Sequence, residues 1–212
     1  MAVMHPTTLV PSKLELLAAW LPSQPWFDGD ASRLESLGAY RFDDPAGDVG
    51  LEGHLLGAGG STVYHVPLSY RAEALQGGEE FLLGTSEHGV LGTRWFSDAA
   101  GDPVYRAVLA ATIATGGREA DEFVENAEGE RVRREIRTRV RGSGQPGTEV
   151  PDMGAATVED FGAVTRAEAG LTVLDIVRAV DLDAREREDQ LSLRATWPGQ
   201  QMPVILALLY SA

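Results

Sequence analysis

The sequence predicts an α+β fold: a long, curved and mainly antiparallel β-sheet, with two principal helices packed on it or closing it. Three observations lead to this prediction. Apolar residues recur at every second position over much of the chain, two segments instead show the period of a helix, and short turn sequences separate successive strands. Because parallel strands need long crossover connections, the short turns favour antiparallel pairing.

The two helices have clear start and stop signals. The first is predicted over Ser12–Leu21, where the opening serine and Glu15 form a capping box and Pro22 ends the helix. The second is predicted over Pro103–Thr115, with Asp102 as the N-cap and a Gly-Gly pair after the last turn. Each segment carries one apolar stripe, so each helix is expected to bury one face.

The predicted strands share alternating apolar residues and lie between turn sequences such as DDPAGD and GAGGS. They are Leu37–Phe42, Val49–Ala58, Thr62–Tyr70, Glu80–Ser86, Gly89–Phe96, Arg131–Arg141, Phe161–Arg166, Leu171–Val180, Leu191–Trp197 and Val204–Tyr210. The last of them is almost wholly apolar. It should therefore lie at the centre of the sheet or pair across a dimer, since an exposed apolar edge promotes aggregation.

Composition excludes several classes of protein. The 212 residues carry 18 basic and 32 acidic side chains, a formal charge of −14, and no cysteine. Thiol catalysis, iron–sulfur clusters and thiolate metal sites are excluded, and the acidic balance argues against nucleic acid or an anionic membrane as partner. No apolar run is long enough to span a membrane, and the N-terminal residues do not resemble a secretory signal. We therefore expect a cytoplasmic protein.

Two histidines could face each other on neighbouring strands. If Gly59 and Gly60 form a two-residue hairpin turn, His54 lies directly opposite His65, with the two Cβ atoms about 5 Å apart. Such a pair could hold a divalent metal, with Glu52 as the only obvious third ligand, or act as a pH switch. The simpler interpretation is two polar side chains on the wet face of the sheet, so no metal site is predicted.

Glu87 and His88 form a second candidate site in the turn TSEHG. The carboxylate could orient the imidazole for general-base catalysis, but the sequence places no suitable nucleophile beside them. A polar turn is the plainer interpretation.

The segment Arg131–Arg141 is the most unusual feature of the sequence. As a strand it would present five arginines on one face, and guanidinium groups suit carboxylates, phosphates and sugar hydroxyls. Arg137 and Arg139 are therefore candidate ligand contacts. The plainer explanation is pairing with the acids that precede the segment, which are Glu119, Asp121, Glu122, Glu125, Glu128 and Glu130.

Four stretches are similar to a known family: PTTLVPSKLELLAAWLPSQPWF, YRFDDPAGDVGLE, VYHVPLSYR and HGVLGTRWFSDAAGDPVYRAVLAATIATGG. The chain resembles the N-terminal cap domain of actinobacterial maltokinases. More closely, it resembles stand-alone proteins of similar length that carry the same cap and are described as α-glucan branching proteins. The likeness extends from Met4 to Gly117. It implies a cap-like α+β region over 1–117, followed over 118–212 by a β-rich extension of the same sheet or a second small β subdomain, with a boundary loop near 142–154.

The resemblance also implies what to expect of the chemistry. In these kinases the cap lies on the ATP-binding lobe, and the kinase body carries a phosphate-contacting lysine, a catalytic aspartate loop and a metal-binding aspartate. Only VTRAEAGLTVLDIVRAVD could be a remnant of the strand pair that bears the lysine, and it has none; Lys13 is the only lysine in the sequence. Phosphoryl transfer depends on those groups, so we expect neither kinase activity nor a cofactor.

Three hypotheses for function follow. The first is a non-catalytic binding or regulatory module linked to maltose, trehalose or α-glucan metabolism, with a sugar kinase, an α-glucan enzyme or a second copy as partner. The second is a small-molecule binder that holds a sugar or acidic ligand in a pocket of the curved sheet; its candidate contacts are Arg137, Arg139, Trp95, His88 and Glu87. The third is a hydrolytic or metal-dependent enzyme that uses one of the two histidine sites above.

Overall fold

The computed structural model describes residues 3–4, 9–125 and 130–212. It is an α+β fold with mainly antiparallel strands, a curled half-barrel sheet and two helices, as predicted. Helix α1 is Lys13–Trp20 and helix α2 is Pro103–Thr115. In chain order the strands are β1 (Val3–Met4), β2 (Leu9–Val10), β3 (Leu34–Asp43), β4 (Gly50–Ala58), β5 (Val63–Arg71), β6 (Leu82–His88), β7 (Gly92–Asp98), β8 (Phe123–Glu125), β9 (Arg131–Arg133), β10 (Arg139–Gly142), β11 (Thr157–Phe161), β12 (Val164–Ala169), β13 (Thr172–Val177), β14 (Ala179–Val180), β15 (Leu191–Trp197) and β16 (Gln200–Ser211).

Local capping fixes both helices as the sequence predicts. The backbone N–H of Ser12 donates to the Glu15 carboxylate at 2.7 Å, and the Ser12 hydroxyl accepts from the Glu15 N–H. At α2, the Asp102 carboxylate accepts from the Val104 N–H at 2.9 Å. That helix ends at Gly116, whose φ of +69° lies in the left-handed region that favours glycine.

The strands of the described residues form three hydrogen-bonded sheets. The N-terminal sheet has the order β2-β6-β7-β5-β4-β3, with β14 also paired to β5. The C-terminal sheet has the order β10-β15-β16-β13-β12-β11, and a small sheet joins β1, β8 and β9. Strand β16 lies between β13 and β15, so the apolar C-terminal segment is central in its sheet. The division of the chain at residue 117 stays a prediction.

Helix α2 lies between the N-terminal and C-terminal sheets. Its buried residues Tyr105, Leu109 and Ile113 share one core with Tyr40 of the N-terminal sheet and Leu206 of the C-terminal sheet. Helix α1 covers the other face of the N-terminal sheet, where a second core forms. We call the face of the N-terminal sheet that α1 covers the outer face, and the face that lies towards α2 the inner face. Buried side chains of both sheets and of α2 therefore pack together on the inner face.

The prediction of one arginine-rich strand over Arg131–Arg141 is wrong. The segment is divided between β9 and β10, with residues 134–138 outside any strand. The physical reason is that the two halves pair with different sheets: β9 with β8, and β10 with β15. Ile136 and Thr138 are buried between these halves. The acidic segment just before it contains the strand Phe123–Glu125.

Among the described residues, no helix combines the length and the apolar character that a bilayer crossing requires.

Candidate functional site

His54 and His65 do not face each other, so the predicted pairing is wrong. Strand β4 ends at Ala58 and β5 begins at Val63, which makes the connection longer than a two-residue turn. The register sets His54 opposite Val66 and Leu55 opposite His65. A shift of one residue turns a side chain to the other face of a sheet. The two imidazoles therefore lie on opposite faces and cannot hold one metal ion.

His65 is a fully buried neutral residue on the inner face. Its Nδ1 lies 3.0 Å from the Val177 carbonyl oxygen, which can only accept, so Nδ1 carries the proton. Its Nε2 then accepts from the Tyr40 hydroxyl at 2.9 Å. Burial, together with the positive charge of Arg178, lowers the pKa of His65 to about 3. His65 thus joins the two sheets as a neutral hydrogen-bonding group.

This burial predicts a pH dependence of stability. Between about pH 7 and pH 5, we expect His65 alone to reduce the free energy of unfolding by about 2 kcal/mol. The sign follows because the unfolded imidazole takes up a proton in this range, whereas the folded one stays neutral until the pH approaches 3. Urea unfolding of the wild type and of His65→Asn at both pH values measures it. Equal losses in the two proteins would contradict the assignment.

His54 belongs instead to a charged cluster on the outer face, near α1. The Glu52 carboxylate accepts from Lys13 Nζ at 2.5 Å and from the Tyr70 hydroxyl at 3.0 Å, and His54 Nε2 lies 3.3 Å away. Burial alone would raise the pKa of Glu52, but the Lys13 ammonium and His54 hold it well below the usual carboxyl range. Arg41 donates to the same tyrosine at 3.1 Å. The lone lysine of the chain is thus held by an internal carboxylate.

Within the described part of the chain, no group of three or more His, Asp or Glu side chains has an arrangement that could hold a metal ion. Glu52 and His54 share the outer face, as expected from their spacing, but Lys13 occupies the position beside the carboxylate where a cation would bind.

Glu87 and His88 take separate partners at the end of the β6–β7 hairpin. The Glu87 carboxylate accepts from the Thr93 hydroxyl at 2.7 Å. His88 Nδ1 accepts from the backbone N–H groups of Val90 and Leu91, at 3.2 and 3.1 Å. The imidazole therefore helps to shape the turn. Trp95 lies further along β7, opposite Thr85 and Arg71.

Three arginines of 131–141 form ion pairs with the acids before them, which agrees with the plainer explanation for these three. Arg139 donates to the buried Glu119 carboxylate at 2.7 Å, and Arg133 to Asp121 at 2.5 Å. Arg134 donates to Glu122 at 3.3 Å. The Glu125 side chain and Glu128, also expected as partners, lie outside the described residues.

Two grooves flank this segment and separate the predicted ligand contacts. The first, about 530 Å³, lies between the β3 residues Ser36–Ala39 and the segment Arg134–Thr138, and Arg137 lines it. The second, about 450 Å³, is lined by Arg139 and lies over β10 and β15. Trp95, Glu87 and His88 line neither of these two grooves. The five predicted contacts are therefore not brought together in one of them.

A buried ion pair that sequence reasoning missed joins the two sheets. Arg178 is fully buried, and its Nη2 donates to the Asp98 carboxylate at 2.5 Å while its Nε donates to the Thr165 hydroxyl at 2.7 Å. Its guanidinium also lies 5.0 Å from the ring centre of Trp26. The one feature of the sequence that could have indicated this pair is an arginine inside the apolar run LTVLDIVRAV, since a buried cation requires a partner.

The described residues form an α+β fold of mainly antiparallel strands, with a curled half-barrel sheet and two helices. Residues 20–102 match the family model of the maltokinase N-terminal cap domain, which confirms the resemblance that the sequence motifs indicate. The match takes in β3 to β7, the greater part of the N-terminal sheet, and about two fifths of the chain. A comparison with curated proteins gives no match.

Proposed function

We propose that these 212 residues act as a non-catalytic binding or regulatory module of the maltokinase-cap type, linked to maltose, trehalose or α-glucan metabolism. Its partner is a sugar kinase or an α-glucan enzyme, which it contacts through its N-terminal sheet. The match of residues 20–102 to the cap family supports this proposal, since the cap of the kinases lies against another lobe.

One observation carries the non-catalytic part of the proposal. Phosphoryl transfer by a kinase of this family uses a lysine at the nucleotide phosphates, and Lys13 is the only lysine here. Its Nζ is 2.5 Å from Glu52 and 5.1 Å from the ring centre of Tyr70, and only 25% of its side chain is exposed. A lysine so engaged on the outer face of the sheet has a structural role.

The partner contact is proposed at one end of the N-terminal sheet. Val10 is 67% exposed, Val90 62% and Leu91 46%. We call these three residues the hairpin patch, because Val10 pairs with β6 and the other two form the β6–β7 turn. Exposed apolar residues grouped together are typical of a protein-binding surface.

The first experiment tests for catalysis. The purified chain is incubated with radiolabelled ATP, magnesium and maltose, trehalose or glucose, beside an active maltokinase. We expect no labelled sugar from the chain at any enzyme concentration that gives a signal in the parallel reaction. Sugar phosphorylation by the chain would contradict the proposal.

The second experiment tests the hairpin patch. We expect Leu91→Asp to weaken binding to an immobilised maltokinase by about tenfold or more. Leu171→Asp is the matched control, because Leu171 is 73% exposed in a turn of the C-terminal sheet and should leave binding unchanged. Light scattering shows whether the chain instead forms dimers through this patch. Equal binding by the two variants, or dimers that Leu91→Asp dissociates, would overturn the partner assignment.

A further inference from the structure

Three arginines stand in one row across neighbouring backbone segments. Arg141 of β10 pairs with Arg194 of β15 in the strand register, and on its other side an isolated antiparallel bridge pairs it with Arg118. Residues directly opposite in antiparallel pairs have their side chains on the same face, with Cβ atoms about 5 Å apart. We call Arg118, Arg141 and Arg194 the arginine row.

Like charges directly opposite each other destabilise a sheet, so the row needs compensation. The arginine at each end of the row has an acidic partner: Arg118 donates to Asp121 at 3.0 Å, and Arg194 pairs with Glu186. Among the described residues, the exposed Arg141 has no ion-pair or hydrogen-bond partner for its side chain.

The row borders the second of the two grooves described above. Arg139 lies two residues from Arg141 on the same strand face and completes a group of four arginines around the groove of about 450 Å³. Its lining also includes Thr196, which is paired with Arg139 in the strand register, and Pro203. Among the described residues, the one acid that lines it is Glu119, which is buried and already accepts from Arg139 and from the Val140 N–H.

We propose that this groove binds a phosphate monoester through the arginine row. A guanidinium group offers paired N–H donors that match phosphate oxygens in a bidentate arrangement. A phosphate monoester carries close to two negative charges near neutral pH, which suits a row whose central cation is uncompensated. The remainder of the molecule, such as a sugar ring, would lie against Thr196 and Pro203. This site does not depend on the partner contact proposed above, since the hairpin patch lies on another sheet.

The test is isothermal titration calorimetry in a phosphate-free buffer of low ionic strength. Inorganic phosphate and glucose 6-phosphate are the probes, and glucose is the neutral control. We expect both phosphates to bind, glucose not to bind, and binding to weaken as sodium chloride is added. Absence of phosphate binding would overturn the proposal. Tighter binding of succinate than of either phosphate would overturn the assignment to a phosphate monoester.

Arg141→Gln should weaken glucose 6-phosphate binding by about tenfold, because the central guanidinium group of the arginine row is lost. Arg137→Gln is the matched control: it removes the same charge from a side chain that is 74% exposed and borders the other groove. It should leave the affinity within about twofold. Without ligand, Arg141→Gln should melt no lower than the wild type, since it relieves like-charge repulsion. If both variants lost affinity equally, the loss would follow from the change in net charge alone. That result would overturn the proposed site.

Discussion

Replacing Asp98 with alanine is expected to lower the free energy of unfolding by about 3–5 kcal/mol, because the change leaves a fully buried arginine without its counter-ion. The Asp98 carboxylate accepts from Arg178 Nη2. Asp98 is the last residue of β7 and Arg178 directly precedes β14, and both of these strands pair with β5. The pair therefore lies at the junction of the two sheets. Chemical denaturation followed by far-UV circular dichroism measures the change.

A double variant separates the buried charge from the lost contacts. Asp98→Ala combined with Arg178→Met removes both charges and should recover a large part of the lost stability, since an apolar pair of similar volume can replace a buried ion pair. An exposed pair is the control: Asp189→Ala removes the partner of Arg187, and both side chains are 68% exposed. It should cost less than about 1 kcal/mol. If the double variant lost as much free energy of unfolding as the two single variants together, an unpaired buried charge would not explain the effect of Asp98→Ala.

Gly142→Ala is expected to destabilise the protein by about 3 kcal/mol, near the upper end of the usual range for overpacking. A Cβ at this position would overlap the carbonyl oxygen of Thr112 and lie 2.8 Å from the Cα of Ile113. These are backbone atoms of α2, so no side-chain rotation can relieve the overlap. The helix must move away from β10, and the core between the two sheets must loosen.

Gly60→Ala is the matched control for Gly142→Ala. The same methyl group at Gly60, in the turn between β4 and β5, meets no atom within 4 Å. Its effect on the free energy of unfolding should stay within about 0.5 kcal/mol. Thermal unfolding of both variants provides the comparison. A Gly142→Ala protein as stable as the control would show that α2 does not pack on β10 at this distance.

Local signals predicted the helices and most strands. Ser12 with Glu15, and Asp102 with Gly116, act on backbone groups a few residues away, so the sequence alone indicates where each helix begins and ends. Alternation of apolar residues likewise indicated the five strands β3 to β7. Such features need no knowledge of the rest of the fold.

The candidate site could be predicted only in part. Arg139 was a candidate because the sequence groups arginines around it, but Arg118 and Arg194 come from distant segments that only strand pairing brings beside Arg141. The partner of Arg178 was equally hidden, since Asp98 lies 80 residues earlier in the sequence. The proposed histidine pair failed because one residue of register reverses the face of a side chain.

The sequence by itself therefore determined the fold class, the cap resemblance, the capped helices and the lack of any lysine but Lys13. Only the tertiary structure decided which faces the histidines occupy, how the arginine-rich segment is divided and which charges meet. The reason is physical: capping and alternation depend on neighbours in the chain, whereas register, ion pairing and burial depend on segments that meet only when the sheets pack on α2.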